Sequence, residues 1–364
     1  MDVEGKRIWQ VAAGDADRNY ADLFLKWDVI ADGPGEKGPW PDCRDGLEAI
    51  GYSKRMLSDV KRFSEAISGG DLVVLRVGTS DVYAVGQGVG EYLWLDDFGD
   101  IDGWDLQHVR RVKWLWRYDK QKGPKWFPAY TLKLGDVVQP MDAQLVKEWL
   151  RGLEIPEEAY NRELEALPDS CKHGEELPKT TAQQVASSLF DNGMARGSIN
   201  ALLERMDDLV RIADWYQRKK EHPSEHETVA HLVVPLLRAL GWTPQKMALE
   251  WNRMDIALFS GMPRKDDRLA IVVEAKRIGS SCLRAKGQAA KLAEKRGREP
   301  CARLIVTDGL RYGVYVREHG GRFRDDPEAY LNLTRMMRSY PIIGCGGAKD
   351  ALRMMAADWR GQVA

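Results

Sequence analysis

The amino-acid sequence predicts a multidomain protein of α+β and α/β class, organised in four segments. Residues 1–130 are predicted to form a mostly β domain, and 131–222 a helical connector. Residues 223–345 are predicted to form a three-layer α/β domain with a mixed sheet, and 346–364 a C-terminal helix. Three observations support this: strand and turn signals dominate the first segment, apolar residues recur three and four apart in the second, and helix and strand patterns alternate in the third.

The first segment contains short apolar runs separated by glycine-rich turns. The predicted elements are strands at 72–77, 82–85 and 110–116 and a helix at 54–67. Glycines at 86, 88 and 90 are expected to interrupt the second strand. Basic and apolar side chains alternate from Arg110 to Trp116, which predicts a half-solvated strand.

The helical connector and the third segment differ in their periodicity. In the connector we expect helices at 143–150 and 199–216 and a polar loop at 168–178. The elements predicted for the third segment are a helix at 225–240, strands at 245–251, 254–259 and 269–275, a helix at 283–296, and strands at 303–307 and 312–317. This order requires a mixed sheet with helices on its faces.

Composition narrows the classes of protein to consider. The net charge of the 364 residues is -1, so the chain lacks the global basic field that drives non-specific binding to nucleic acid. Its five cysteines form no CxxC pair, which argues against a disulfide framework and a thiolate zinc site. The sequence shows neither a signal peptide nor a long apolar span, so we expect a cytoplasmic protein without a membrane partner.

The candidate catalytic residues are concentrated at the end of an apolar run, where Glu274 follows Leu-Ala-Ile-Val-Val. Glu274 and Lys276 are two positions apart on a predicted strand, so both side chains lie on one face. Asp255 lies in the preceding predicted strand, 254–259. If the two strands form a hairpin, the carboxylates of Asp255 and Glu274 come to lie side by side. With the backbone carbonyl of Ala275, these are hard oxygen ligands of the kind that Mg²⁺ prefers. Lys276 is positioned to orient a water molecule or to stabilise developing charge.

The residues of this stretch resemble the core of the PD-(D/E)xK nucleases. The matching pieces are Arg-Met-Asp255-Ile-Ala-Leu, Ile-Val-Val-Glu274-Ala-Lys276-Arg and Gly-Gln288-Ala. From Glu227 to about position 317 the chain is similar to the nuclease domain at the N-terminus of type I restriction motor subunits.

The resemblance implies a restriction-endonuclease-like fold and cleavage of DNA with Mg²⁺, or with Mn²⁺ in its place. It implies metal binding and catalysis by Asp255, Glu274 and Lys276, with Glu227 on the first helix and Gln288 on the later helix as further site residues. Met254 departs from the family pattern, since it stands where the family name has a proline.

Tryptophan is concentrated in the first segment, where eight of the 13 precede residue 130. Residues 7 to about 117 resemble the EVE branch of the PUA-like fold. The matching pieces include Arg-Ile-Trp9-Gln-Val, Gly70-Asp71-Leu-Val-Val-Leu and Tyr83-Ala-Val-Gly-Gln-Gly. The resemblance implies a reader domain that holds a flipped, modified base between aromatic rings.

A pocket in this reader domain is predicted from its aromatic and charged residues. The pocket residues are Trp27, Trp40, Tyr83 and Trp94, with Asp22 or Asp105 bonding the edge of the base and Arg110 and Arg111 holding phosphates. The alternative is that half or more of the tryptophans fill the core, and the sequence does not separate the two.

Together the two resemblances predict a modification-dependent restriction endonuclease for phage defence. Its substrate would be double-stranded DNA with a modified base, such as a modified cytosine, and a homodimer would supply two active sites for two strands. Three alternatives stay open: a nuclease of repair or RNA metabolism, a nuclease gated by a small nucleotide, and a reader that binds modified nucleic acid without cutting it.

Overall fold

The computed structural model describes residues 1–14, 18–121, 125–127, 130–219, 223–296, 301–318 and 321–359. The chain divides into two compact units, Met1–Glu176 and Leu177–Ala364. The stretch 131–222, predicted as one helical connector, is therefore shared between them. No helix among the described residues is long and apolar enough to cross a membrane.

Unit 1 is built on a mixed six-stranded sheet. Its strands are β1 (Ile8–Ala12), β2 (Val29–Asp32), β3 (Leu72–Val77), β4 (Asp81–Trp94), β5 (His108–Arg117) and β6 (Val138–Pro140). Their order across the sheet is β2-β5-β4-β3-β1-β6. β1 and β3 are parallel, whereas the other neighbouring pairs are antiparallel.

Short helices cover this sheet and extend the unit beyond residue 130. They are α1 (Ala21–Trp27), α2 (Arg44–Ala49), α3 (Lys54–Lys61), α4 (Gln144–Arg151) and α5 (Glu157–Asn161). The side chain of Ser53 caps α3, which continues as a π-helical turn over Arg62–Ala66, so the helix predicted at 54–67 is confirmed.

The glycines expected to end the second strand lie inside β4 instead. A Cβ atom on Gly86 would stand 2.5 Å from Cγ1 of Val112 on the neighbouring strand. A Cβ atom on Gly88 would stand 2.9 Å from the carbonyl oxygen of Ser68. These glycines permit close backbone approach, and the register between β4 and β5 shifts beside them. The predicted interruption was therefore wrong.

Unit 2 is built on a mixed eight-stranded sheet. Its strands are β7 (Met247–Trp251), β8 (Met254–Phe259), β9 (Leu269–Ala275), β10 (Arg303–Thr307), β11 (Arg311–Val316), β12 (Ala329–Asn332), β13 (Ser339–Tyr340) and β14 (Cys345–Gly346). The spatial order is β13-β14-β12-β11-β10-β9-β8-β7. The first five strands confirm the prediction to within two residues at either end, and the last three were not predicted.

Helices lie on both faces of this sheet. They are α6 (Ala182–Asp191), α7 (Arg196–Lys219), α8 (Glu225–Thr228), α9 (Val234–Ala239), α10 (Lys286–Arg296) and α11 (Ala348–Met355). A π-helical segment, Val229–Val233, joins α8 to α9, so the helix predicted at 225–240 is confirmed. Within the predicted C-terminal helix 346–364, α11 forms and packs on β12.

Alternation along β9 separates two hydrophobic cores. Ile271 and Val273 belong to the core shared with α7, α9 and α11. Val272 belongs to the core on the other face, where Ala289 and Ala293 of α10 pack. Because successive side chains of a strand point to opposite faces, a strand of uniformly apolar sequence is buried on both sides. The protein is thus a multidomain α+β chain with two mixed sheets.

Candidate active site

The pairing of β8 with β9 brings the predicted carboxylates together. Ile256 pairs with Val273, so that Asp255 comes level with Glu274 one step further along the two antiparallel strands. The Oδ2 atom of Asp255 accepts a hydrogen bond of 2.7 Å from the backbone amide of Ala275. The strand pair therefore holds Asp255 beside the Glu274-Ala275-Lys276 segment, as the sequence predicted.

Glu274 is the most buried of these charged groups, with 1% of its side chain exposed. Its Oε1 atom accepts hydrogen bonds from Nε2 of Gln288 and from Nζ of Lys276, the latter at 3.2 Å. Its Oε2 atom is buried and has no hydrogen-bond partner among the described residues. Burial, followed by the negative charge of Asp255, raises the pKa of Glu274 to about 7. A buried carboxylate with a free oxygen lacks part of the cationic or donor environment that its charge requires.

Lys276 lies between two carboxylates and keeps access to solvent. Its Nζ atom is 3.2 Å from Oε1 of Glu274 and 3.7 Å from Oε1 of Glu225, with 28% of the lysine side chain exposed. Its backbone amide donates to the carbonyl of Thr307 on β10, which fixes the chain at the end of the sheet. The ammonium group can therefore donate to a molecule from solvent without leaving Glu274.

The helix glutamate beside the cluster is Glu225, and Glu227 has a different role. Ser224 and Glu227 form a capping box: Oγ of Ser224 accepts from the amide of Glu227 at 3.2 Å, and Oε2 of Glu227 accepts from the amide of Ser224 at 2.7 Å. These hydrogen bonds lower the pKa of Glu227, whose side chain is exposed. The signal was present in the sequence, because Ser-x-x-Glu before an apolar run is the signature of this cap.

The oxygen atoms in this cluster suit a hard divalent cation. Two carboxylates and a backbone carbonyl are the ligand types that such ions take, and the Oε2 atom of Glu274 is a buried acceptor with no hydrogen-bond partner among the described residues. Within the described parts of the chain, no three His, Cys, Asp or Glu side chains group together in a metal-binding arrangement. Asp255 and Glu274 supply two side chains, so backbone, water or substrate oxygens would complete the coordination of a bound ion.

The aromatic residues predicted for the reader pocket lie in different places within unit 1. Tyr83 and Trp94 lie near opposite ends of β4, and at about 3.3 Å per residue a straight strand would separate their 11 positions by roughly 36 Å. The Oη atom of Tyr83 accepts from Asn19 at 3.3 Å, and Nζ of Lys125 lies 4.7 Å from the centroid of its ring. A single base therefore does not reach both Tyr83 and Trp94.

The three predicted tryptophans make internal contacts. Trp94 is buried, and its Nε1 atom donates to the carbonyl of Gly35 at 2.9 Å. Trp40 is half-buried and donates from Nε1 to Glu65 at 2.8 Å. Trp27 is half-buried at the end of α1, with Nζ of Lys26 5.2 Å from its ring centroid. Trp94 thus belongs to the core, whereas Trp40 and Trp27 keep part of their surfaces open.

The two predicted edge partners are also separated. Asp22 is exposed in the first turn of α1. Asp105 is half-buried, and its Oδ1 atom accepts from the amide of Asp100 at 3.2 Å. Asp105 therefore orders the loop between Asp100 and β5, and Asp22 faces solvent.

Arg110 and Arg111, predicted to hold phosphates, bond to the protein itself. Arg110 is buried and donates to the carbonyls of Phe63, at 2.8 Å, and Ser64. Arg111 is half-buried and donates to the carbonyls of Asp28, at 3.3 Å, and Glu165. Burial lowers the pKa of both guanidinium groups. The expectation of a half-solvated strand was wrong at Arg110, because the π-helical turn after α3 covers this side of β5.

Comparison with known proteins assigns no activity to this arrangement. Residues 9–128 match the model of a domain of unknown function, DUF8426. No curated protein and no solved structure matches the chain. The matched stretch lies within unit 1, so the carboxylate cluster of unit 2 lies outside it.

Proposed function

We propose that unit 2 is a Mg²⁺-dependent nuclease domain that hydrolyses phosphodiesters of double-stranded DNA. The observation that carries this proposal is the state of Glu274, a buried carboxylate next to Asp255 with one free oxygen and a pKa raised to about 7. Such a buried carboxylate destabilises the folded chain unless a cation compensates its charge. Carboxylates whose pKa is strongly shifted are typical of functional sites.

In this proposal Asp255, Glu274 and the backbone carbonyl of Ala275 hold Mg²⁺. When bound, the ion supplies positive charge beside the scissile phosphate and acidifies water. The amide of Ala275 orients the Asp255 carboxylate from one side. Gln288 occupies Oε1 of Glu274 and so leaves Oε2 available as a ligand.

Lys276 then acts on the substrate side of the same cluster. Its partly exposed ammonium group donates to the attacking water or to a phosphate oxygen, while Glu274 and Glu225 hold its position. Glu225 takes the place proposed from sequence for Glu227. Because Nζ carries three donors, it can keep both carboxylate contacts and still bind a substrate oxygen.

We further propose that unit 1 reads a modified base and that the chain acts as a homodimer, as a modification-dependent restriction endonuclease. The aromatic content of unit 1 and the open surfaces of Trp40, Trp27 and Tyr83 support the reader. Base contacts would supply selectivity that a net charge of -1 does not. Two active sites in a dimer would cut both strands.

The deciding experiment is cleavage of matched DNAs with Mg²⁺. The substrates are one unmodified duplex and duplexes with 5-methyl-, 5-hydroxymethyl- or glucosylated cytosine, with an RNA of the same sequence alongside. Lys276→Ala is the test variant, and Lys349→Ala, an exposed lysine on α11, is the matched control. We expect cutting of one or more modified duplexes by the wild type and the control, and none by Lys276→Ala.

Each other outcome identifies the part of the proposal that fails. Equal cutting of all duplexes would support the nuclease activity and contradict the reader function. Cutting of the RNA alone would show that the substrate is RNA and not double-stranded DNA. Cutting that survives Lys276→Ala removes this cluster as the active site, and binding without any cutting favours a non-catalytic reader. Light scattering of the same samples tests the dimer.

A further inference from the structure

A second site-like feature lies in unit 1, apart from the residues predicted for the reader. A cavity of about 1150 Å³ opens where the end of β5 meets α4 and α5. Trp116, Tyr118, Phe127 and Trp149 border it, and each is half-buried. This volume is slightly above the roughly 300–1,000 Å³ of typical ligand pockets, so the aromatic-lined cavity has room for an organic ligand.

The aromatic wall is held in a defined arrangement. The rings of Trp116 and Trp149 meet edge to face, with centroids 5.9 Å apart and an interplanar angle of 81°. Trp126 also borders the cavity; its ring centroid lies 4.6 Å from that of Trp149, and its Nε1 atom donates to the carbonyl of Tyr130 at 2.6 Å. One side of this group packs on the apolar core of unit 1. The other side leaves electron-rich ring surface at the cavity, which attracts cations.

The cationic groups at the cavity are already engaged by the protein. Both terminal nitrogens of Arg162 donate to the buried carboxylate of Asp28 at 2.7 Å. Arg117 donates to the carbonyl of Leu25 at 3.1 Å and lies 3.9 Å from the same Asp28 carboxylate. These two guanidinium groups share the single negative charge of Asp28, so their charge is compensated in part and they attract an incoming anion less strongly than free groups would.

The acidic groups at the cavity, in contrast, have no such compensation. Asp119, Glu154 and Glu158 border it, and none forms an ion pair with any described residue. Glu154 and Glu158 are exposed to solvent. Three uncompensated carboxylates next to aromatic rings repel phosphate groups and attract positive charge.

We propose that this cavity binds an organic cation, an ammonium group with small apolar substituents such as methyl groups. The aromatic rings contact the methyl groups and the spread charge, and the carboxylates at the rim add long-range attraction. Free quaternary ammonium compounds and methylated lysine side chains share this chemistry. The site is independent of the nuclease proposal, since it lies wholly within unit 1.

The test uses the full chain and two probes of one shape. Choline carries the cation, and 3,3-dimethyl-1-butanol is its uncharged isostere; tryptophan fluorescence and calorimetry follow binding. A peptide with trimethyllysine and the same peptide with unmodified lysine distinguish the two sources. We expect the cationic probe of the correct source to bind at least about 10-fold more tightly than its partner.

Matched variants locate the binding. Glu158→Gln is expected to weaken binding about threefold or more, whereas Glu157→Gln is expected to leave it unchanged, because the neighbouring Glu157 is exposed but does not border the cavity. Trp149→Phe, checked by its melting temperature, is expected to weaken binding further. Equal binding of charged and uncharged probes, no binding of any cation at millimolar concentration, or equal effects of the two glutamate variants would overturn the proposal.

Discussion

The backbone amide of Ala275 donates a 2.7 Å hydrogen bond to the Oδ2 atom of Asp255. This bond joins a side chain of β8 to the main chain of β9 between Glu274 and Lys276. It therefore aligns the three charged residues of the cluster through the sheet itself. A site held by strand pairing keeps its geometry better than one carried on loops.

Glu274→Gln is expected to stabilise the metal-free protein at alkaline pH. The native carboxyl keeps its proton up to a pKa of about 7, against 4.5 in the unfolded chain, so its contribution to stability falls as the pH rises between these values. The glutamine side chain does not ionise, so the variant does not lose stability in this way as the pH rises. At pH 8 the variant should gain about 1–3 kcal/mol over the wild type, shrinking to about zero near pH 4.5. Urea unfolding in EDTA measures this, and a variant that is less stable at pH 8 would contradict it.

Affinity for Mg²⁺ is expected to depend on pH through the same carboxyl group. Below pH 7 Glu274 must release its proton before it can bind a cation, so the apparent Kd should rise about 10-fold for each unit of pH lost, down toward pH 5. Calorimetric titration of the wild type between pH 5.5 and 8 checks the slope. Constant affinity over this range would exclude Glu274 as a ligand.

Substitutions of the two glutamates of α8 are expected to have different effects, one on cleavage and the other on stability. Glu225→Ala removes the carboxylate 3.7 Å from Nζ of Lys276 and should slow cleavage by about 10-fold with little change in melting temperature. Glu227→Ala breaks the capping box with Ser224 and should cost about 0.5–1 kcal/mol of stability while cleavage remains within about twofold. The reverse result would return Glu227 to the site.

Arg110→Ala is expected to destabilise the protein without changing how DNA binding depends on salt. The substitution leaves the carbonyls of Phe63 and Ser64 without their donor inside the fold, at a cost of about 2–4 kcal/mol. Urea unfolding measures that loss. The slope of log K against log salt should match the wild type, and a decrease of about one would show that Arg110 contacts a phosphate.

Part of this structure follows from short-range patterns. The strands at 72–77, 254–259, 269–275 and 303–307 have the predicted bounds, because each is a run of mainly apolar residues between turn signals. The later strands β12–β14 are two to four residues long; β12 pairs with β11 and β14, and β13 pairs with β14. A segment that short carries no periodicity, so only its partners define it.

The sequence by itself determined the two-residue spacing of Glu274 and Lys276, the burial of the strand before them and the distance to Asp255 along the chain. These suffice to place three charges at one end of a sheet. The Ser224-x-x-Glu227 pattern also contained the cap that holds Glu227, but tertiary structure alone decided that Glu225 is the carboxylate beside Lys276. It also decided that Arg110 faces the interior and that Tyr83 and Trp94 lie far apart. The physical reason is that alternation gives the face of a strand, but what covers that face depends on packing between distant segments.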